Sequence, residues 1–156
     1  MGKKLRVLFI DDSFDDVELT ILELTRGGYS IDSTRIETAT DMRAALEAGV
    51  WDVILCDFDM PQFSARQALE LLHGMKRDVP FIILSGVVQA EHVVTLLKKG
   101  AHDFLNKDNL ARLVPAIERE IREAQERSKL VDAEERLRIL SLAIEQSPVS
   151  VVITDR

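Results

Sequence analysis

Four polar positions follow apolar runs in this chain: Asp11-Asp12, Asp57, Ser85 and Lys107. The set carries carboxylates, a hydroxyl and an amine. Together these types suit phosphoryl transfer. A carboxylate can attack phosphorus and form an aspartyl phosphate. A lysine ammonium and a hydroxyl can hold the phosphoryl oxygens, and a divalent cation can neutralise them. Three carboxylates in one crevice repel and raise one another's pKa, which implies that a cation is expected among them. An all-oxygen set with room for water suits Mg²⁺, which binds at about 2.0–2.1 Å through few protein groups. Asp57 is the expected nucleophile, with Asp11 and Asp12 completing the acidic cluster. Helix capping is the competing role for Asp11 and Asp12, but Ser13, Asp15 and Asp16 offer cleaner caps.

The elements that must position these residues alternate. Leu5–Ile10, 31–38, 51–56, 80–84 and 103–105 read as strands. Val53-Ile54-Leu55-Cys56 is continuously apolar, as a strand buried on both faces must be. Ile31 to Thr38 alternates, as a less buried strand does. Between the strands, apolar residues recur at helical spacing, and Gly27-Gly28, Gly49, Gly74 and Gly100 stop the helices. Thr40 or Asp41 is the expected cap of the second helix. Strands alternating with helices imply a doubly wound parallel sheet. The expected fold is flavodoxin-like α/β, strand order 2-1-3-4-5, with an extended C-terminal helix. In that order strands one and three flank the switch point, and Asp11, Asp12 and Asp57 meet there.

The helix starting near Asn109 runs past the length needed to cover the sheet. Leu110, Leu113, Val114, Ile117 and Ile121 can pack back. Leu130, Ala133, Leu137, Leu140 and Ile144 then continue an apolar seam at spacings of three and four. This is expected to be a linker helix over 123–146, pairing as a coiled coil in a homodimer or joining domains. Ser147-Pro148 breaks it, and Val149–Thr154 reads as a new strand. A strand cannot stand alone, so residues 147–156 are expected to begin a further, truncated domain.

Composition narrows the classes. The chain has 156 residues, a formal net charge of -7 and a 46% hydrophobic content. It is globular rather than disordered. Residues 1–108 hold 12 Lys+Arg against 18 Asp+Glu, so the acidic excess lies with the strand ends. No basic stripe is evident, which argues against nucleic acid as the main ligand. The single cysteine, Cys56, permits no intrachain disulfide and is read as a buried packing residue. No secretory leader or membrane-length apolar stretch is evident, and a cytoplasmic location without membrane contact is expected. His73, His92 and His102 lack partners at metal spacing and are expected to pack or lie on the surface.

These residues resemble the receiver domain of two-component response regulators. The resemblance covers residues 4–122, and Asp57-Phe58-Asp59-Met60-Pro61 is similar to the family's D-x-x-M-P stretch. It implies that Asp57 is the phosphoacceptor, with Lys107 and Ser85 assisting. It implies that Asp12 and Asp57 ligate Mg²⁺, with Asp59 through its backbone carbonyl and Asp11 through water. Ser85 and Phe104 are then the switch residues. The implied phosphodonor is a histidine kinase or a phosphotransfer protein, and self-catalysed dephosphorylation is implied too. Two positions depart from the family: Asp108 replaces the usual proline, and Gln62-Phe63-Ser64-Ala65 replaces a glycine-bearing loop. Residues 142–155 resemble the opening of a PAS sensor domain, as found after receivers in hybrid histidine kinases and cyclic-di-GMP enzymes.

Two other readings use the same residues. Asp57-Phe58-Asp59 is also the D-x-D of haloacid-dehalogenase-like phosphatases. Against that stand the missing later acidic motif, the nucleophile's place on the third strand and the unexplained Asp11-Asp12 pair. The other is a phosphorylation-independent pseudo-receiver acting as a dimerisation module, which would not need the complete acid set.

Overall fold

The computed structural model describes residues 2–86 and 89–146, with side-chain surroundings through residue 141. Residues 1–121 form one compact unit, and residue 122 onward a second. The PAS-like start expected at 147–156 lies outside the described residues.

The first unit is a five-stranded parallel sheet in the order β2-β1-β3-β4-β5. The strands are β1 (Lys3–Ile10), β2 (Tyr29–Ile36), β3 (Val53–Asp57), β4 (Phe81–Ser85) and β5 (Asp103–Asn106). Helices α1 (Phe14–Arg26), α2 (Ala39–Ala48), α3 (Ala65–Gly74) and α4 (Ala90–Lys98) connect them. A 3₁₀ turn, Leu110–Arg112, leads into α5 (Leu113–Gln146). The flavodoxin-like order and the long terminal helix expected from the sequence are both present.

Burial follows the apolar runs. Every residue of β3 and β4 is buried, because these central strands are covered on both faces. The edge strand β2 buries only its ends, Tyr29 and Ile36. One core cluster gathers Leu8, Ile10, Ile54, Leu69, Phe81 and Ile83 on one face of the sheet. The other gathers Val7, Phe9, Leu24, Leu55, Leu113 and Ile117. Each fully buried aliphatic side chain contributes roughly 1.5–3 kcal/mol of transfer free energy, which is what holds the two helix layers on the sheet.

Local chemistry fixes the helix ends. Ser13 caps α1, its Oγ accepting from the Asp16 N–H. Thr38 caps α2 by accepting from the Asp41 N–H. The cap is thus two or three residues before the expected Thr40 or Asp41, because β2 leaves the sheet at Ile36. Ser64 and Gln67 form a reciprocal capping box on α3, its cap residue Ser64 lying in the Gln62–Ala65 stretch. Gly100 has φ +117°, and the His73 ring lies where a Cβ would stand, so only glycine fits the α4–β5 turn.

Candidate functional site

The sheet register assembles the site. Ile10 pairs with Cys56, so Asp11 and Asp57 leave adjacent strands side by side. Asp57 pairs with Leu84, and Ser85 follows. Ser85 pairs with Asn106, and Lys107 follows. The ends are further tied by backbone bonds: Asp11 N–H to Ile36 O at 3.1 Å, Phe58 N–H to Leu84 O at 2.9 Å and Lys107 N–H to Ser85 O at 2.8 Å.

Asp11, Asp12 and Asp57 each place a carboxylate oxygen within 4.8 Å of the others. Asp11 and Asp57 are buried and Asp12 is exposed, so the cluster opens to solvent on one side. Lys107 Nζ reaches into it, 3.3 Å from Asp57 Oδ1 and 3.5 Å from Asp11 Oδ2. Its shortest contact is elsewhere, to Asp16 Oδ2 at 2.7 Å. Asp16 was not among the residues expected at the site. From sequence it is one acid in a run that reads as a helix start.

Asp11 Oδ1 accepts the Ser13 N–H at 2.9 Å. Asp57 Oδ1 accepts the Asp59 N–H at 3.1 Å. Ser85, fully buried, donates to Asp59 Oδ2 at 3.4 Å. Asp59 itself is exposed. Phe104 is 8% exposed and turned inward, its ring centroid 5.6 Å from that of Phe58. Phe58 in turn lies 4.9 Å from His92 on α4. His102, on the loop before β5, accepts the Phe81 N–H at Nδ1 and so has a packing role. The Asn106 side chain accepts the Asp108 N–H at 2.8 Å, closing the turn where the family has proline. The 3₁₀ turn after it has no side-chain cap.

The electrostatics match a crowded acidic crevice. Burial pushes the Asp11 carboxyl up to about 6. The Ser13 N–H and the Lys107 ammonium oppose that rise, and the charges of Asp57 and Asp16 add to it. Burial alone would lower Lys107, but the Asp16 hydrogen bond and the three carboxylates outweigh it and raise its pKa. Burial and the neighbouring carboxylates push the Cys56 thiol well up.

The donor set fits a hard divalent cation. Its oxygens converge, one side is open for water, and the Asp11 carboxyl resists ionisation without further positive charge. Among the described residues, no helix is long and apolar enough to cross a membrane.

A parallel 2-1-3-4-5 sheet carrying this acid, hydroxyl and lysine set at its carboxyl edge defines a phosphoacceptor fold. The family profile of the response regulator receiver domain matches residues 7–118, and the chain belongs to that family. The chain is similar to the transcriptional regulatory protein ZraR of Salmonella typhimurium, 27% identical over 124 residues, which cover 79% of this chain and 28% of ZraR. It is similar to the two-component response regulator ARR10 of Arabidopsis thaliana, 34% identical over 106 residues, covering 66% of this chain and 18% of ARR10. The chain thus spans less than a third of either relative. Among solved structures, the signal receiver domain of a LuxO repressor protein from Vibrio parahaemolyticus superposes with a TM-score of 0.71 at 25% identity, covering 81% of this chain and 97% of that one. Full-length FixJ from B. japonicum also gives 0.71 at 25% identity, covering 94% and 71%. The phosphatase reading is not favoured by these comparisons.

Proposed function

We propose that Asp57 is the phosphoacceptor of a two-component phosphorelay. The observation that carries this reading is Lys107 Nζ at 3.3 Å from Asp57 Oδ1, inside the Asp11-Asp12-Asp57 cluster. An Asp57 carboxylate oxygen attacks the phosphorus of a phosphohistidine on a histidine kinase or phosphotransfer protein. The P–N bond breaks and the imidazole leaves with its electron pair. Asp12 and Asp57, with the Asp59 carbonyl and Asp11 through water, would hold Mg²⁺, which would neutralise charge on the phosphoryl oxygens. Lys107 binds one of those oxygens. Ser85 gives up Asp59 and donates to another. Phe104 then changes its packing, so that the face of α4, β5 and the start of α5 shifts between two states.

Outside the site the proposal is coarser. Residues 1–122 act as the receiver, in the cytoplasm, with neither nucleic acid nor membrane as partner. Residues 123–146 carry the signal toward a PAS-like domain beginning at 147–156, or pair with a second copy. Leu130, Leu137 and Leu140 are 59–68% exposed, which supports a partner for that seam.

Intact mass after treatment with acetyl phosphate, with and without Mg²⁺, tests the phosphoacceptor reading. One phosphoryl adduct is expected on the wild type, only with Mg²⁺, and none on Asp57→Asn. An adduct on both proteins, or on neither, would overturn it.

A further inference from the structure

Asp16 holds the shortest contact that Lys107 makes, 2.7 Å against 3.3 Å to Asp57 and 3.5 Å to Asp11. The shortest distance is that of a charge-assisted hydrogen bond, and the other two are longer than one. Asp16 is fixed by its own backbone. Its N–H donates to Ser13 Oγ at 3.2 Å, and its carbonyl accepts from Thr20 Oγ1 at 2.9 Å. Lys107 is fixed at its backbone by Ser85. Both backbones are thus held in place, and their side chains alone make the contact between them. We propose that Asp16 is a positioning residue for Lys107: it parks the ammonium on the first turn of α1 until a phosphoryl group on Asp57 draws it away, and so sets how strongly the site favours the phosphorylated form.

The two carboxylates are not equivalent partners. The Asp16 side chain is 40% exposed and that of Asp57 only 6%. Asp16 also lies at a helix N-terminus, where the backbone dipole favours negative charge. It can therefore lose its cation at small cost, with water and the helix end taking over. A phosphoryl group brings nearly two negative charges to Asp57 at neutral pH, more than the single charge of Asp16.

This inference rests on the phosphoacceptor reading of Asp57, and its test separates the two. Calorimetric titration of the full chain with beryllofluoride, a phosphoryl mimic, in Mg²⁺ gives the affinity. Asp16→Asn removes the competing charge while keeping the shape, and binding should tighten about twofold to fivefold, the range of an exposed ion pair. In a Lys107→Gln background the same change should alter nothing, because Asp16 acts through the lysine. Lys107→Met serves as the second background should the glutamine variant not fold. Equal tightening in both backgrounds would make Asp16 a through-space repeller and overturn the proposal. So would unchanged or weaker binding by Asp16→Asn when the wild type binds well. Absence of binding by the wild type would sink the phosphoacceptor reading, and this inference with it.

Discussion

The ring of Phe104 packs on the ring of Phe58, 5.6 Å between centroids at 53°. Phe58 is the residue directly after Asp57, so the buried aromatic of β5 packs on the immediate chain neighbour of the proposed phosphoacceptor. Tilted aromatic pairs of this kind contribute about 0.5–1.5 kcal/mol beyond their burial. Phe104→Ala should cost about 3 kcal/mol in urea unfolding. A double-mutant cycle with Phe58→Ala should return a coupling of about 1 kcal/mol. Additive losses would mean that the two rings do not communicate.

Lys107 is the cation shared by three carboxylates in the described site. Replacing it by methionine leaves Asp11 and Asp57 buried without it. In metal-free buffer the variant should be destabilised by roughly 1–3 kcal/mol. Mg²⁺ should restore much of that loss, and its calorimetric affinity should exceed the wild-type value because the competing ammonium is gone. A variant that bound Mg²⁺ more weakly than the wild type would contradict this.

Asp11 makes the metal-free protein prefer mild acid. Its carboxyl rises from 3.8 to about 6 on folding, so the folded chain holds the proton more tightly than the unfolded chain. That contribution is complete below pH 3.8 and is lost as pH rises through about 6. Between pH 7.5 and 5 the wild type should therefore gain stability relative to Asp11→Asn, by roughly 1 kcal/mol per pH unit inside the window. Mg²⁺ should flatten the difference, since it favours the ionised carboxylate. Urea unfolding at several pH values reads this directly. A wild-type-minus-variant difference independent of pH would refute it.

Leu130, Leu137 and Leu140 of α5, seven and three residues apart, lie along one seam and stand exposed. If that seam pairs with a second copy, Leu137→Glu should shift the chain from dimer to monomer in sedimentation equilibrium. The unfolding midpoint of residues 1–121, followed by Trp51 fluorescence, should stay put. A wild type that is monomeric at high concentration would remove the pairing.

Much of this arrangement was legible in the residues. Val53–Cys56 and Phe81–Leu84 are apolar throughout, so two central strands were marked by composition alone, and the polar residues after them mark the carboxyl edge. β2 was harder. It buries only Tyr29 and Ile36 and its alternation is weak, so the strand read at 31–38 lies two residues late of Tyr29–Ile36. The cap of α2 moved with it, from Thr40 or Asp41 to Thr38. Asp16 escaped for a different reason. Its partner lies 91 residues away, and only the sheet order brings β5 beside α1's first turn. Once Ser13 is taken as the cap, Asp16 occupies the third helical position, the one signal in the sequence that could have pointed to it. The contacts of Phe58 with Phe104 and His92 likewise need the fold, since no local spacing links three separate elements.

Cys56 stands immediately before Asp57 on the middle strand, fully buried and with its thiol held well above the usual range. It is also the chain's one sulfhydryl. An alkylating reagent therefore meets no thiol until the centre of the sheet separates. The rate at which iodoacetamide marks the native protein becomes a clock for that separation, free of any background from other sites. Run with and without beryllofluoride, the clock reads how firmly the strand carrying the acceptor is locked, with no probe added to the molecule.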